Sequence, residues 1–253
     1  MKRLMTLPLL LSGLVFVGTG CPKTTTDTAE ADTDTDTDTD TDTDTDTDTD
    51  TDTDTDTDDP PASEIANMQQ YIGYADGDTV TATGIVTTPN TGYGFFMQDA
   101  AVPYAGIWVY HGSDVKTFPT QGDTVEITGT LMEYSDLTEI DASVKGSAIN
   151  VTGTADVPEA IVVSKTVLKD EAIAESYESV LITVEGVTAA SEADSYGEWT
   201  TTLGMIVDDK FLSNDKTYTA PAVGDAYSSV TGAYDYTYGD FKLVPRSTGD
   251  FVQ

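Results

Sequence analysis

The sequence contains very few of the residues that build disulfides, zinc sites and hydrolytic centres. Its 253 residues include one cysteine, Cys21, and one histidine, His111. A single cysteine excludes an internal disulfide and a cysteine-based zinc site. A catalytic triad would need His111 as its base, yet this histidine lies in a polar turn without the surroundings of a nucleophile elbow. We therefore expect no catalytic residue and no required cofactor.

Basic residues are also scarce. From residue 60 to residue 253 there are 28 acidic and 8 basic residues, a formal net charge of −20, and the basic residues are scattered. A surface of this sign repels phosphodiester backbones, so nucleic-acid binding would require a local basic patch or bridging cations. The charge disfavours nucleic acid as a partner and leaves glycans and proteins.

The N-terminus is typical of exported proteins. Lys2 and Arg3 precede an apolar run at residues 7–17 and then small residues, as in a signal peptide that is too short to span a bilayer stably. Residues 18–21, Gly-Thr-Gly-Cys, resemble the lipobox of bacterial lipoproteins, although Gly18 stands where that motif has an apolar residue. We expect residues 1–20 to be removed and Cys21 to be acylated as a membrane anchor. The alternative is that Cys21 is an idle residue near a signal-peptidase site.

The next segment, residues 21–59, consists mainly of alternating threonine and aspartate. It has too little apolar surface to offset the entropy of ordering, so we predict a disordered linker. Cation capture by the aspartates or glycosylation of the threonines are alternatives.

Pro22 stands where aspartate commonly marks inner-membrane retention. Its presence favours an anchor in the outer membrane, with display in the periplasm or on the cell surface.

A repeated octapeptide organises the folded part. Gly122-Asp123-Thr124-Val125-Glu126-Ile127-Thr128-Gly129 matches residues 77–84 at six of eight positions. Apolar and polar residues alternate in this run, which predicts a strand with one buried face. The Gly-Asp pair predicts a preceding turn, and the interior glycine predicts a bulge or sharp bend.

Similar signals predict an all-β chain. Ser63 is predicted to cap a short helix with Ile65, Met68 and Ile72 on one face. The predicted strands are 79–87, 94–98, 106–110, 123–132 and 138–144, then, after a short helix at 171–176, 180–187, 200–207, 226–234 and 241–245. We expect two tandem OB-like five-stranded barrels, one in residues 60–154 and a degenerate one in 155–253. A single sandwich of about ten strands is the alternative.

Four motifs in order resemble a known family. They are residues 77–87, Gly94-Phe95-Phe96-Met97-Gln98-Asp99, Gly106-Ile107-Trp108-Val109-Tyr110, and residues 122–134. They are similar to the tandem OB-fold region near the N-terminus of bacterial secreted nucleases of the YhcR type. Residues 177–182 resemble the start of that family's second module, with Ser179 replacing a glycine. In that family catalysis belongs to a separate downstream domain, so the resemblance implies a binding module.

Aromatic residues are the candidates for ligand contacts. If Ile107 and Val109 point into the barrel, Trp108 and Tyr110 point outward, because strand neighbours alternate. The outer face of the middle strands is where OB folds stack aromatic rings on oligonucleotides and oligosaccharides. Surface aromatics without a ligand, or a protein contact, are the alternative. The candidates are Tyr93, Trp108, Tyr110, Tyr134, Trp199, Tyr234 and Tyr236.

Acidic loops provide candidates for metal binding. Asp208, Asp209, Asp235 and Asp240 carry oxygen ligands that would suit calcium. Solvated turns are the alternative interpretation. The sequence thus favours a non-catalytic surface lipoprotein that binds an extracellular glycan or an envelope protein. A nucleic-acid-binding accessory of a secreted nuclease and a metal-dependent hydrolase follow as alternatives.

Overall fold

The computed structural model describes residues 63–113 and 118–253. The predicted signal peptide, the acylated Cys21 and the Thr-Asp linker lie outside these residues and stay predictions. In the described ranges the chain is mostly β-strand with short helical segments, so the all-β prediction is confirmed. No helix in those ranges combines the length and the apolarity that a membrane crossing requires.

Five of the six strands in the first half form a ring. The six strands are β1 (Thr79–Val86), β2 (Gly94–Gln98), β3 (Gly106–Tyr110), β4 (Asp123–Tyr134), β5 (Leu137–Asp141) and β6 (Ala148–Thr154). Their order is β1-β2-β3-β5-β4, and β4 pairs again with β1. Only the β3–β5 pair of this sheet is parallel. Strand β6 lies on the outer side of β4.

The second half repeats this order. Its strands are β7 (Ile161–Val163), β8 (Leu181–Thr188), β9 (Trp199–Thr200), β10 (Ile206–Val207), β11 (Ala226–Thr237), β12 (Asp240–Val244) and β13 (Phe251–Val252). The order β8-β11-β12-β10-β9 matches β1-β4-β5-β3-β2, including one parallel pair, β10–β12. A bridge between Ala189 and Thr201 connects the two ends of this path. Strand β13 pairs with β11 as β6 pairs with β4, and β7 is an addition beside β8.

The Gly-Asp turns explain the sequence repeat. In each, the carboxylate of the aspartate accepts the backbone N–H three residues earlier, and the glycine has φ near +90°, which favours glycine. The hydrogen bonds run from Ala75 to Asp78 (2.8 Å), Thr120 to Asp123 (2.7 Å) and Ala222 to Asp225 (2.9 Å). Gly77, Gly122 and Gly224 have φ of 92°, 90° and 94°. The turns therefore start β1, β4 and β11 with one geometry.

Two interior glycines allow close approach of strands. A Cβ on Gly129 of β4 would lie 2.6 Å from Ile140 Cγ2, and one on Gly232 of β11 would lie 2.6 Å from the Val244 carbonyl. Real Cβ atoms do not come this close, so β5 and β12 can pack here only against glycine. The sequence predicted a bulge or sharp bend at Gly129; the structure shows close strand approach there, and the register shift of the β4–β6 pair lies instead between Thr124 and Val125.

A short helix covers the first core. α1 (Glu64–Gln69) begins at Ser63, whose Oγ accepts the Ala66 N–H at 2.9 Å, as predicted. Ile65 and Met68 are fully buried with the inward residues of β1–β5. The prediction for Ile72 was wrong, because the helix ends at Gln69 and Ile72 is 57% exposed. The second half has α2 (Glu171–Ala174) and 3-10 turns at Val167–Lys169, Glu175–Tyr177 and Thr248–Asp250.

One predicted strand is divided. Residues 200–207 form the two short strands β9 and β10 instead of a single strand. Gly204 has φ of +85°, and the Thr201 hydroxyl accepts the Met205 N–H at 3.1 Å, which closes a tight turn between them. The turn replaces backbone pairing that a continuous strand would have made.

The two halves pack against each other within one compact unit. The Gln98 side chain accepts the Leu181 N–H at 2.7 Å, and the Glu178 side chain accepts the Thr138 N–H at 3.0 Å. A Cβ on Gly106 would overlap the Ser179 carbonyl. This contact is buried and hydrogen-bonded, so the halves are held in a defined arrangement.

Candidate functional site

Alternation along the strands divides β3 and its neighbours into two faces. Ile107 and Val109 lie in the first core, as predicted, whereas Trp108 lies in a separate cluster on the opposite face. In the sheet register Trp108 stands between Phe96 of β2 and Glu139 of β5. Two aromatic rings and a carboxylate therefore form a row across three strands.

Close packing holds the indole of Trp108. Its ring centroid is 4.6 Å from that of Phe96, and the residue is only 6% exposed. A Cβ on Gly94 would overlap the indole, so this glycine gives the ring its space. Truncation of Trp108 would therefore remove packing as well as any contact to a ligand.

An open cleft of about 570 Å³ lies on this outer face. Four of the predicted aromatic residues border it, two of them, Tyr93 and Tyr134, with more than half of their surface exposed. The structure thus brings the aromatic candidates of the first half to one place. The lining residues are Thr91, Tyr93, Trp108, Tyr110, Met132, Tyr134, Leu137, Glu139, Asp141, Lys210 and Thr237.

The second half supplies part of the cleft wall. The Lys210 ammonium lies 4.4 Å from the Trp108 ring centroid and forms an ion pair of 2.7 Å with Asp235. Asp235 is fully buried, and the face of an indole attracts a cation, so both contacts fix the lysine. Phe211 packs edge-on against Phe96 next to it. The part of the cleft wall that the second half supplies is therefore held in place by an ion pair and by aromatic contacts.

Glu139 is the buried acid of the cleft. It is 5% exposed, and within the described residues its carboxylate has no hydrogen bond or ion pair. Burial, and then the negative charge of Asp141, raises its pKa to about 7, whereas the positive charge of Lys210 acts in the opposite direction. Asp141 is itself held by the Ser143 N–H and hydroxyl, at 2.8 and 2.6 Å. The cleft therefore combines aromatic walls with a carboxyl group that makes no hydrogen bond within the described residues.

A second cavity of about 500 Å³ adjoins the cleft at the two matching hairpins. One hairpin joins β4 to β5 and the other joins β11 to β12. Three residues, Tyr134, Leu137 and Thr237, border both cavities. Tyr236 and the 96% exposed Tyr238 border the second one. The aromatic surface thus continues from the first half onto the second.

Two predicted ligand contacts lie elsewhere. Trp199 and Tyr234 are each 1% exposed and belong to the core of the second half. The Tyr234 ring stacks on Phe241 with centroids 5.1 Å apart. Neither residue borders the cleft. Their place in the core follows from the same alternation that sends Phe95 of the first half inward.

The acidic candidates have different surroundings. Asp235 pairs with Lys210, and Asp240 is exposed at the start of β12. Burial, and then the charge of Glu198, raises the pKa of Asp208 to about 6. Burial also raises the pKa of Asp209. In residues 63–113 and 118–253, no three histidine, cysteine, aspartate or glutamate side chains are grouped as metal ligands would be.

His111 belongs to the packing of the turn after β3. Its Nδ1 donates to the Gly112 carbonyl at 2.6 Å, so Nε2 is left to accept from Asn90 at 2.8 Å. The ring stacks on Phe118 at 4.6 Å and is 1% exposed. Burial lowers the pKa of His111, opposed by its backbone hydrogen bonds. Both ring nitrogens are engaged, and the ring is buried, which the polar turn predicted from the sequence did not indicate.

Two important cleft residues were missed by sequence reasoning. Glu139 follows from alternation, because its neighbours Thr138 and Ile140 must point to the other face. No local sequence pattern predicts that Lys210 borders the cleft, because it reaches the cleft only through the packing of the second half against the first. Gln98 and Asp99, the polar end of the Gly94–Asp99 motif, do not border the cleft: Gln98 accepts the Leu181 N–H, and Asp99 accepts the Ile65 N–H of α1.

Comparison with known proteins gave no relative to guide the assignment. No protein-family model matches the chain, and no curated protein sequence is significantly similar to it.

Proposed function

We propose that this chain is an exported, lipid-anchored binding protein, without catalysis of its own, whose cleft holds a segment of an extracellular glycan. The single observation that carries the proposal is the set of four aromatic residues around an open cavity on the outer face of β3 and β5. Aromatic rings on this face of small barrels stack on the flat faces of sugars and bases. The exposed Tyr93 and Tyr134 are the rings a ligand would reach first.

Charge favours a sugar over a nucleic acid. Among the described lining residues Lys210 is the one cation, and its ammonium is already paired with Asp235. Glu139 and Asp141 add negative charge to the cleft, in a folded part that carries a net charge of −20. Nucleic-acid grooves combine aromatic stacking with positive charge, whereas this cleft offers aromatic rings without an unpaired cation among its described lining residues. Glycan binding requires no cations.

The proposed anchor fits a role outside the cell. An acylated Cys21 would hold the chain on the outer membrane, and the twenty-six residues 33–58 span roughly 80 to 90 Å when fully extended. Such a tether would carry the cleft well away from the lipid surface. The ligand would then be a polymer of the periplasm or the cell surface.

The proposal is tested by equilibrium binding of the purified full chain to a panel of bacterial envelope polysaccharides. We expect the double variant Tyr93→Ala, Tyr134→Ala to lose at least tenfold in affinity, because both rings are exposed and contribute little to folding. The control is Tyr196→Ala, since Tyr196 is 80% exposed and lies outside the cleft. Binding of no polysaccharide, or equal loss in the control, would contradict the proposal.

Binding assays with the same variants can also identify two other kinds of partner, an envelope protein or single-stranded DNA. Capture of an envelope protein that depends on Tyr93 and Tyr134 would replace the glycan with a protein ligand. Metal-independent binding of single-stranded DNA would make the chain an accessory module for a nuclease.

A further inference from the structure

The cleft contains a nearly buried carboxyl group, that of Glu139. Glu139 is 5% exposed and borders the cleft, yet its carboxylate makes no hydrogen bond or ion pair within the described residues. The Lys210 ammonium, whose charge acts on Glu139, is held 2.7 Å from Asp235. A buried carboxylate is unfavourable unless it is paired, hydrogen-bonded or protonated.

The surroundings of Glu139 suit a cation. Asp141 on the same strand adds a second negative charge, and Trp108 and three tyrosines border the cleft. Aromatic faces attract ammonium groups, and Lys210 already lies over Trp108 at 4.4 Å. An ammonium from a ligand would therefore meet a carboxylate and aromatic rings together.

The position of the cleft favours a sugar chain over a peptide. Strand β3 is paired on both sides, with β2 and β5, and β5 is paired with β3 and β4. An extended peptide binds most simply by adding a strand to a free edge, and the cleft lies on a sheet face instead. Separate tyrosine rings along this face and the adjoining cavity offer stacking places for successive sugar units.

We propose that the cleft recognises a polysaccharide of amino sugars with free amino groups, and that one ammonium of this chain pairs with Glu139. This inference rests on the proposed glycan-binding function and specifies its ligand. Tyr134 and Tyr236, which border the adjoining cavity, would stack on the units that follow the one at Glu139.

The test compares three probes by calorimetric titration of the full chain near neutral pH. They are a hexamer of glucosamine, the matched hexamer of N-acetylglucosamine, and hexalysine. We expect the glucosamine hexamer to bind at least tenfold more tightly than the acetylated hexamer. The comparison of the two sugars on the unchanged chain does not depend on how any variant folds.

Two variants test whether the preference for the glucosamine hexamer depends on Glu139 in the cleft. Glu139→Gln keeps the shape of the side chain and should remove most of the tenfold preference. Glu126→Gln is the matched control, because Glu126 is an exposed residue of β4 outside the cleft and its loss changes the net charge equally. The control should bind like the unchanged chain.

The results separate a failure of the amino-sugar inference from a failure of the glycan-binding proposal. Equal or tighter binding of the acetylated hexamer, unaffected by Glu139→Gln, would overturn the amino-sugar inference and leave glycan binding intact. Binding of neither hexamer would overturn the amino-sugar inference, and glycan binding itself would fall only if no polysaccharide of the panel bound either. Hexalysine binding that matches the glucosamine hexamer would show unspecific attraction of cations, or a basic protein partner, and would also overturn the inference.

Discussion

The substitution Glu139→Gln is expected to change how the stability of the protein depends on pH. In the folded chain burial raises the pKa of Glu139 from 4.5 to about 7. The folded state therefore binds this proton more tightly than the unfolded chain does. Stability from this group is fully present below pH 4.5 and is lost as the pH rises toward about 7.

The magnitude follows from the pKa. One pKa unit corresponds to about 1.4 kcal/mol, so the rise of about 2.5 units gives at most about 3.5 kcal/mol. Glutamine cannot ionise, so the variant does not lose this stability as the pH rises. The free energy of unfolding of the variant, relative to the natural chain, should therefore increase by up to about 3.5 kcal/mol between the acid and alkaline sides of the window. Asp141 and Lys210, which also face Glu139, remain in both proteins.

The assay is urea unfolding followed by circular dichroism at several pH values between about 4 and 8. Other acids with raised pKa, such as Asp208, contribute equally to both chains and cancel in the difference. Glu126→Gln is the control and should parallel the natural chain. Parallel stability curves for Glu139→Gln and the natural chain would refute the assignment of a buried, unpartnered carboxyl group.

Four further predictions concern the fold and the anchor. Ser179→Gly should raise the free energy of unfolding by about 1 kcal/mol in urea, because Ser179 has φ of +64° and a buried hydroxyl without a partner in the described residues; an unchanged midpoint would contradict this. Gly106→Ala should lower the thermal midpoint by several degrees, since its Cβ would overlap the Ser179 carbonyl. Cleavage near residues 153–160 should give two fragments that still co-elute in size-exclusion chromatography, because buried hydrogen bonds join the halves; separate elution would argue against this contact. Cys21→Ser should release the protein from the membrane fraction, and unchanged retention would exclude lipid anchoring.

Much of the fold was predictable because local signals and burial agree. Strands β2 and β3 were predicted to the residue, since each is a short apolar run between glycine turns. Strand β6 was missed because most of its residues are exposed, which leaves no alternation to detect. Strands β7 and β13 are three and two residues long, too short for a periodic pattern.

The sequence predicted those cleft residues whose direction is set by alternation along a single strand, and it did not predict the residues that the other half contributes. Alternation correctly sent Trp108 out of the first core, but it could not show that the second half would cover this ring with Lys210. Tyr234 looked equivalent to the exposed aromatics, yet it occupies the inward position on β11. Contacts between the halves are set by packing over many residues, and no local pattern encodes them.

The most direct test of glycan binding uses the fluorescence of Trp108. In a Trp199→Phe chain Trp108 is the single tryptophan and borders the cleft. We predict that hexasaccharides of glucosamine or N-acetylglucosamine shift its emission with saturation, whereas single-stranded DNA at physiological salt without divalent cations does not. Tight, salt-sensitive DNA binding, with no response to either sugar, would contradict the account.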